Sequence, residues 1–217
     1  MSIITFPGYH ACSQRGGYEQ VRNGIPFLSS DSEDQWLTQG YYFWNHSSKF
    51  AKSWMPSEYR QGGELHGTPP KRAIGQFDIN LNESELWDLV GNPLHQEEFD
   101  RFAEKLLAKY KKARKSKYEV SVNEIIAEMR EFAKAPERKS AFPYNAVKAV
   151  DNRKKDVNYY YFTSSKREGL QLPIGNAQQV CVFNKTEENI VLRSFLEPMD
   201  FKMKLIAELS SQENNDA

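Results

Sequence analysis

Apolar residues come in short stretches broken by Gly, Ser and Asn through residues 1–70, whereas the middle of the chain carries them three and four apart. The first pattern predicts short strands and functional loops, the second amphipathic helices. Residues 3–9 read as an opening strand and 13–23 as a helix stopped by Gly24. Residues 29–35 (SSDSEDQ) read as an exposed loop that leads into a strand over 41–44. The run SSKFAKSW after Asn45 predicts a capped helix with Phe50, Ala51 and Trp54 on one face. RAIGQFDINL is strand-like, and Asn82 followed by Glu85 has the capping-box spacing of a helix start. Phe99, Phe102, Ala103, Leu106, Leu107 and Tyr110 recur at helical spacing over 96–117, and Ile125, Ile126, Met129 and Phe132 do so over 122–134, before Pro136. Strand-like runs return beyond Asp156, and the polar stretch 209–217 implies a disordered tail. The expected architecture is one α+β domain over residues 1–208, with a helical insertion at about 82–135.

Composition narrows this picture only slightly. Acidic and basic residues balance at 29 each, so net charge gives no warrant for a nucleic-acid or membrane partner. Cys12 and Cys181 lie far apart, outside any CxxC or His/Cys cluster, and read as reduced thiols with no metal to hold. No basic-then-apolar leader and no run of about 18 apolar residues is present, so a cytoplasmic location is expected. One local exception is the segment from Lys105 to Lys117, with seven cations and no acid, which makes a positive helix face. Its default role is a solvated surface, and a backbone-phosphate contact is the alternative.

Three blocks carry the candidate chemistry. His10 ends the opening strand and is followed by Ala11, Cys12 and Ser13, small residues that leave room for a planar ligand. Gly40 precedes Tyr41-Tyr42-Phe43-Trp44 and a helix. The third block is QQVCVFNKTEENIVLRSFLEP at 178–198. In this order they resemble the ADP-ribosyltransferase superfamily, in the branch shared by poly-ADP-ribose polymerases and many bacterial toxins. That branch has a His-Gly-Ser/Thr motif, a Gly-x-Tyr-Phe strand and a final strand pair, matching under half of the chain here. The resemblance implies a split, mostly antiparallel sheet around an NAD⁺ cleft. It also implies transfer of one ADP-ribose to a macromolecular acceptor, protein or RNA, by a toxin or phage-defence protein that has an antitoxin partner in some systems.

By the same resemblance, His10 bonds the adenosine-side ribose and the Ala11 backbone grips the nicotinamide amide. Cys12 stands where a hydroxyl residue lines the cofactor pocket. Tyr42 and an aromatic of the next helix, Trp54 or Phe50, sandwich the nicotinamide ring, while Tyr41 and Phe43 alternate into the core. Gln179 takes the place of the polymerase glutamate. Its amide can bond a ribose hydroxyl but cannot act as a base, which implies single-unit transfer. Glu168 and Glu197 are the alternative carboxylates. His66-Gly67-Thr68 repeats the first motif in a Gly/Pro-rich loop with no strand before it, and is set aside. An RNA 2′-phosphotransferase and a degenerate NAD⁺-binding interaction module are the rival readings.

Overall fold

The computed structural model describes residues 2–32, 35–54, 71–112, 119–151, 158–161, 171–174 and 177–215. The elements in chain order are β1 (Ile3–Ser13), α1 (Gly17–Gly24), β2 (Tyr41–Asn45), α2 (Ser48–Ser53), β3 (Arg72–Asn82), β4 (Leu86–Asp88), α3 (Pro93–Lys112) and α4 (Val122–Phe132). They continue with β5 (Ala146–Val150), β6 (Asn158–Tyr161), β7 (Gln171–Ile174), β8 (Gln178–Val182), β9 (Ile190–Glu197) and α5 (Met199–Asn215). Seven strands form one open sheet in the order β4-β5-β8-β2-β1-β3-β9, and β6 pairs with β7 separately. Every pairing in the large sheet is antiparallel except β4 with β5. The chain is therefore an α+β protein, as the pattern predicts.

Strand alternation sends side chains to two differently covered faces. Phe6, Cys12, Phe43, Phe77, Val180 and Val182 pack with Tyr18 and Val21 of α1 and with Phe201 and Leu205 of α5. On the other face, Trp87, Val147, Ala149 and Cys181 meet Leu106 of α3 and Ile125, Ile126 and Met129 of α4. Trp44 and Ile74 on that second face meet Phe50 and Ala51 of α2. The Gly that precedes the aromatic strand has a packing reason: a Cβ on Gly40 would collide with the Cys181 sulfur and lie 2.8 Å from the Val182 carbonyl oxygen.

Two expectations are corrected. The capping-box spacing at Asn82 does not start a helix. A single 3₁₀ turn at Glu83–Glu85 leads into β4, because Leu86 and Trp87 pair with Ala146 and Val147 and Trp87 is fully buried. Asn82 Nδ2 donates instead to the Glu85 carboxylate at 3.1 Å. The true box is Ser121 with Glu124, where each side chain bonds the other's backbone N–H and α4 begins. The polar end is not a disordered tail from 209, since α5 runs to Asn215 on the anchorage of Phe201 and Leu205. Of the basic run, Lys105 to Lys112 lies on α3, where Lys109 pairs with Glu128 of α4 at 3.0 Å; residues 113–117 lie outside the described residues. Among the described residues no helix is long and apolar enough to cross a membrane.

Candidate functional site

The narrowest junction of the sheet lies between β1 and β2. Only Gly8 with Asn45 and Tyr9 with Trp44 are in register, although β1 runs on to Ser13 and β2 begins at Tyr41. From His10 onward a side chain replaces the ladder: its Nδ1 lies 2.9 Å from the Tyr42 carbonyl oxygen. The Phe27 backbone N–H donates to His10 Nε2 at 3.3 Å. A carbonyl only accepts and an amide N–H only donates, so the ring is the neutral Nδ1–H tautomer. Burial lowers the His10 pKa to about 4, with the Tyr42 carbonyl opposing and the Lys185 charge adding to the drop. The ring is neutral at pH 7, and Nε2 is an acceptor.

Tyr42 and Gln179 share the other face. Tyr42 pairs with Cys181 and Trp44 with Gln179, so residues 179 and 181 of β8 project beside residues 44 and 42 of β2. Gln179 is 8% exposed, and its Oε1 accepts from the Trp36 indole N–H at 3.0 Å. That bond fixes the flip of the amide and leaves Nε2 as the donor, with no hydrogen-bond partner among the described residues. Tyr42 is tied in turn: its hydroxyl donates to the Thr38 carbonyl at 2.8 Å and accepts from Leu37 N–H at 3.0 Å.

The loop between these contacts holds Thr38 at φ 67, left-handed backbone unusual outside glycine. Arg130 of α4 braces it, donating to Thr38 Oγ1 at 2.7 Å and to the Gln39 carbonyl at 3.1 Å while lying 4.1 Å over the Phe183 ring. The helical insertion thus positions the segment that carries Trp36. Replacing Tyr42 with Phe removes one donor and one acceptor from this loop. The expected result is about 1–2 kcal/mol lost in chemical denaturation, with the ring retained. A Tyr42→Phe protein as stable as the wild type would show that the hydroxyl does not hold the loop.

The remaining predicted residues divide by burial. Ala11 lies on the Tyr42 face beside Trp44 and Ile74. Cys12, expected to line the cofactor pocket, points instead into the core of the opposite face at 7% exposure. Burial, against a hydrogen bond from Ala73, pushes its thiol up to about 12. Cys181 is also raised to about 12 by burial, against the pull of Arg130 and the Tyr42 hydroxyl. Neither thiol is a nucleophile near neutral pH. Phe50 is buried against Trp44 with ring centroids 5.7 Å apart, so its ring serves the core. Trp54 caps the C-terminal end of α2, half-buried, with its carbonyl accepting from Arg72 at 3.4 Å.

Glu197 lies on β9, four places along the sheet from β8, and pairs with Arg72 at 2.8 Å. Glu168 and His66-Gly67-Thr68 lie outside the described residues. Phe27, Trp36, Thr38, Arg130 and Lys185 were not anticipated, and a lone Trp in a polar loop is the one local sign any of them gives. Among the described residues no three His, Cys, Asp or Glu side chains are grouped to hold a metal ion. No family model, curated protein or solved structure matches the chain.

Proposed function

We propose that the protein is a mono-ADP-ribosyltransferase that cleaves NAD⁺ and passes ADP-ribose to a macromolecular acceptor. The observation that carries this reading is the oriented amide of Gln179, on the same sheet face as Tyr42 and one strand from the point where β1 and β2 part around His10. The short β1–β2 junction supports a split sheet with the dinucleotide cleft at its mouth. In the reaction the nicotinamide–ribose bond breaks, nicotinamide leaves with the bonding electrons, and the acceptor's lone pair attacks the oxocarbenium carbon that remains. Gln179 Nε2 donates to a hydroxyl of that ribose and holds it as charge develops. It takes no proton, so the acceptor's proton passes to solvent or to a group of the acceptor itself. Neutral His10 offers Nε2 to a ribose hydroxyl of the substrate, in place of the Phe27 amide. In this reading Tyr42 and Trp54 are the aromatics that flank the nicotinamide, since the Phe50 ring is buried against Trp44.

A second reading, an NAD⁺-binding module without turnover, is favoured by the neutral Gln179 and by the burial of Phe50. Nicotinamide release separates the two. The protein is incubated with NAD⁺ labelled in the adenylate and with cell lysate, then treated with protease or ribonuclease. The expected result is free nicotinamide together with label on a fraction that one of the two treatments removes. Dinucleotide binding without nicotinamide release would leave the module, and absence of dinucleotide binding would overturn both readings.

A further inference from the structure

The segment after α1 lies at the β1–β2 junction and is held there by two side chains, one from β1 and one from the loop that follows β8. His10 Nε2 takes the Phe27 N–H at 3.3 Å, and Lys185 Nζ donates to the Ile25 carbonyl at 3.5 Å. Both bonds are at the long end of the hydrogen-bond range, and both end within three residues of one another. Lys185 follows β8 and sets its ammonium 5.9 Å from the centroid of the Tyr41 ring. Among the described residues no carboxylate lies within salt-bridge distance of it, whereas Arg22, Arg72, Lys109, Lys148 and Arg193 each have one. A lysine held by one carbonyl retains two donor hydrogens and an uncompensated charge. Partial burial has already lowered its pKa, and its charge is felt at His10. The neutral acceptor and the unpaired cation therefore face one small region.

We propose that Lys185 is the phosphate-binding cation of this site: it takes the 5′-phosphate of the ribose whose hydroxyl bonds His10 Nε2. This rests on the reading of the site as a dinucleotide cleft and adds the group that recognises the anionic part of the substrate. The ligand class is a ribose 5′-phosphate unit within an adenine dinucleotide. A ribose hydroxyl replaces the Phe27 N–H as donor to Nε2, and a phosphate oxygen replaces the Ile25 carbonyl as acceptor from Nζ. The exchange at Lys185 favours the ligand, because an ammonium bond to an anionic phosphate is stronger than one to a neutral carbonyl, and the exchange at His10 trades one neutral donor for another. Phe27 and Leu28, which are exposed, must yield when the ligand enters, whereas Ile25 stays in the core and only the Lys185 ammonium leaves its carbonyl.

Calorimetric titration of ADP-ribose, adenosine and a single-stranded RNA oligomer into wild type, Lys185→Met and Lys185→Arg tests the assignment. The expected result is that Lys185→Met weakens ADP-ribose about tenfold, leaves adenosine unchanged and flattens the salt dependence of ADP-ribose affinity. Lys185→Arg keeps most of that affinity. If wild type binds ADP-ribose and Lys185→Met binds it equally well with the same salt slope, the assignment falls while the dinucleotide cleft stands. Weakening confined to the RNA oligomer overturns it in favour of an acceptor contact. If wild type binds no ADP-ribose, the cleft reading falls and the assignment falls with it.

Discussion

Gln179→Ala is expected to lower kcat for NAD⁺ cleavage by about 100-fold or more while leaving KM within about threefold. The asymmetry follows from what the amide does. Its Oε1 is occupied by the Trp36 indole at 3.0 Å, so Nε2 is the atom left to bond a ligand. A donor on a ribose hydroxyl fixes the ring in the geometry that the breaking bond requires, and this positioning is spent at the transition state rather than on ground-state affinity. Gln179→Glu is the sharper test. A carboxylate accepts from Trp36 as the amide does, and it presents a full negative charge to the oxocarbenium where the amide presents a dipole. Its expected effect is faster NAD⁺ cleavage, with water competing as acceptor. Trp36→Phe leaves residue 179 intact and removes the bond that sets its flip, so kcat should fall with KM little changed and part of the loss should persist in the Gln179→Glu background. Full activity of Gln179→Ala would remove this residue from the reaction and return attention to Glu168.

Much of the fold was legible because it follows local periodicity. β3, α3 and α4 follow their predicted ranges within a few residues, since each carries a regular apolar stripe, β3 chiefly toward the core under α1 and α5, and α3 and α4 toward the opposite face. The exceptions arise where tertiary contacts outweigh local preference. Leu86 and Trp87 join the sheet beside β5 although the preceding residues spell a helix cap. α5 escapes a periodicity argument because it is apolar on two sides: Phe201 and Leu205 face the core while Met199, Met203 and Ile206 are exposed. The site was legible in its strand residues and not in what orients them. His10, Tyr42 and Gln179 come from three recognisable blocks, and the sheet sets them on adjoining strands. Arg130 reaches Thr38 across 92 positions and Trp36 reaches Gln179 across 143, and no spacing rule encodes either contact. Cys12 shows the opposite failure: small residues after His10 suggested pocket lining, yet strand alternation turns the thiol into the core.

Acid should expose His10 as a stability switch, with an effect of about 3 kcal/mol. The ordinary histidine pKa of 6.5 applies to the unfolded chain, and burial lowers the folded value to about 4. Between these pH values the unfolded chain binds a proton that the folded protein cannot, so stability rises with pH across the window. The contribution of the neutral ring is fully present above pH 6.5, is lost as pH falls toward 4, and changes no further below that. A difference of about 2.5 units at about 1.4 kcal/mol each gives the magnitude. Carboxylates titrate near the lower end of the window. Asp88, for example, is held low because hydrogen bonds from Gly91, Lys148 and Val90 outweigh its burial. Comparison with His10→Gln isolates the ring, since such terms are common to both proteins and Gln retains a donor and an acceptor. Urea denaturation from pH 7.5 to 4 should show the wild-type and His10→Gln stabilities converging by about 3 kcal/mol as pH falls. Parallel curves across that range would mean that the imidazole is protonated in the folded protein at mildly acid pH, and then Nε2 is no acceptor for the Phe27 amide or for a ribose hydroxyl.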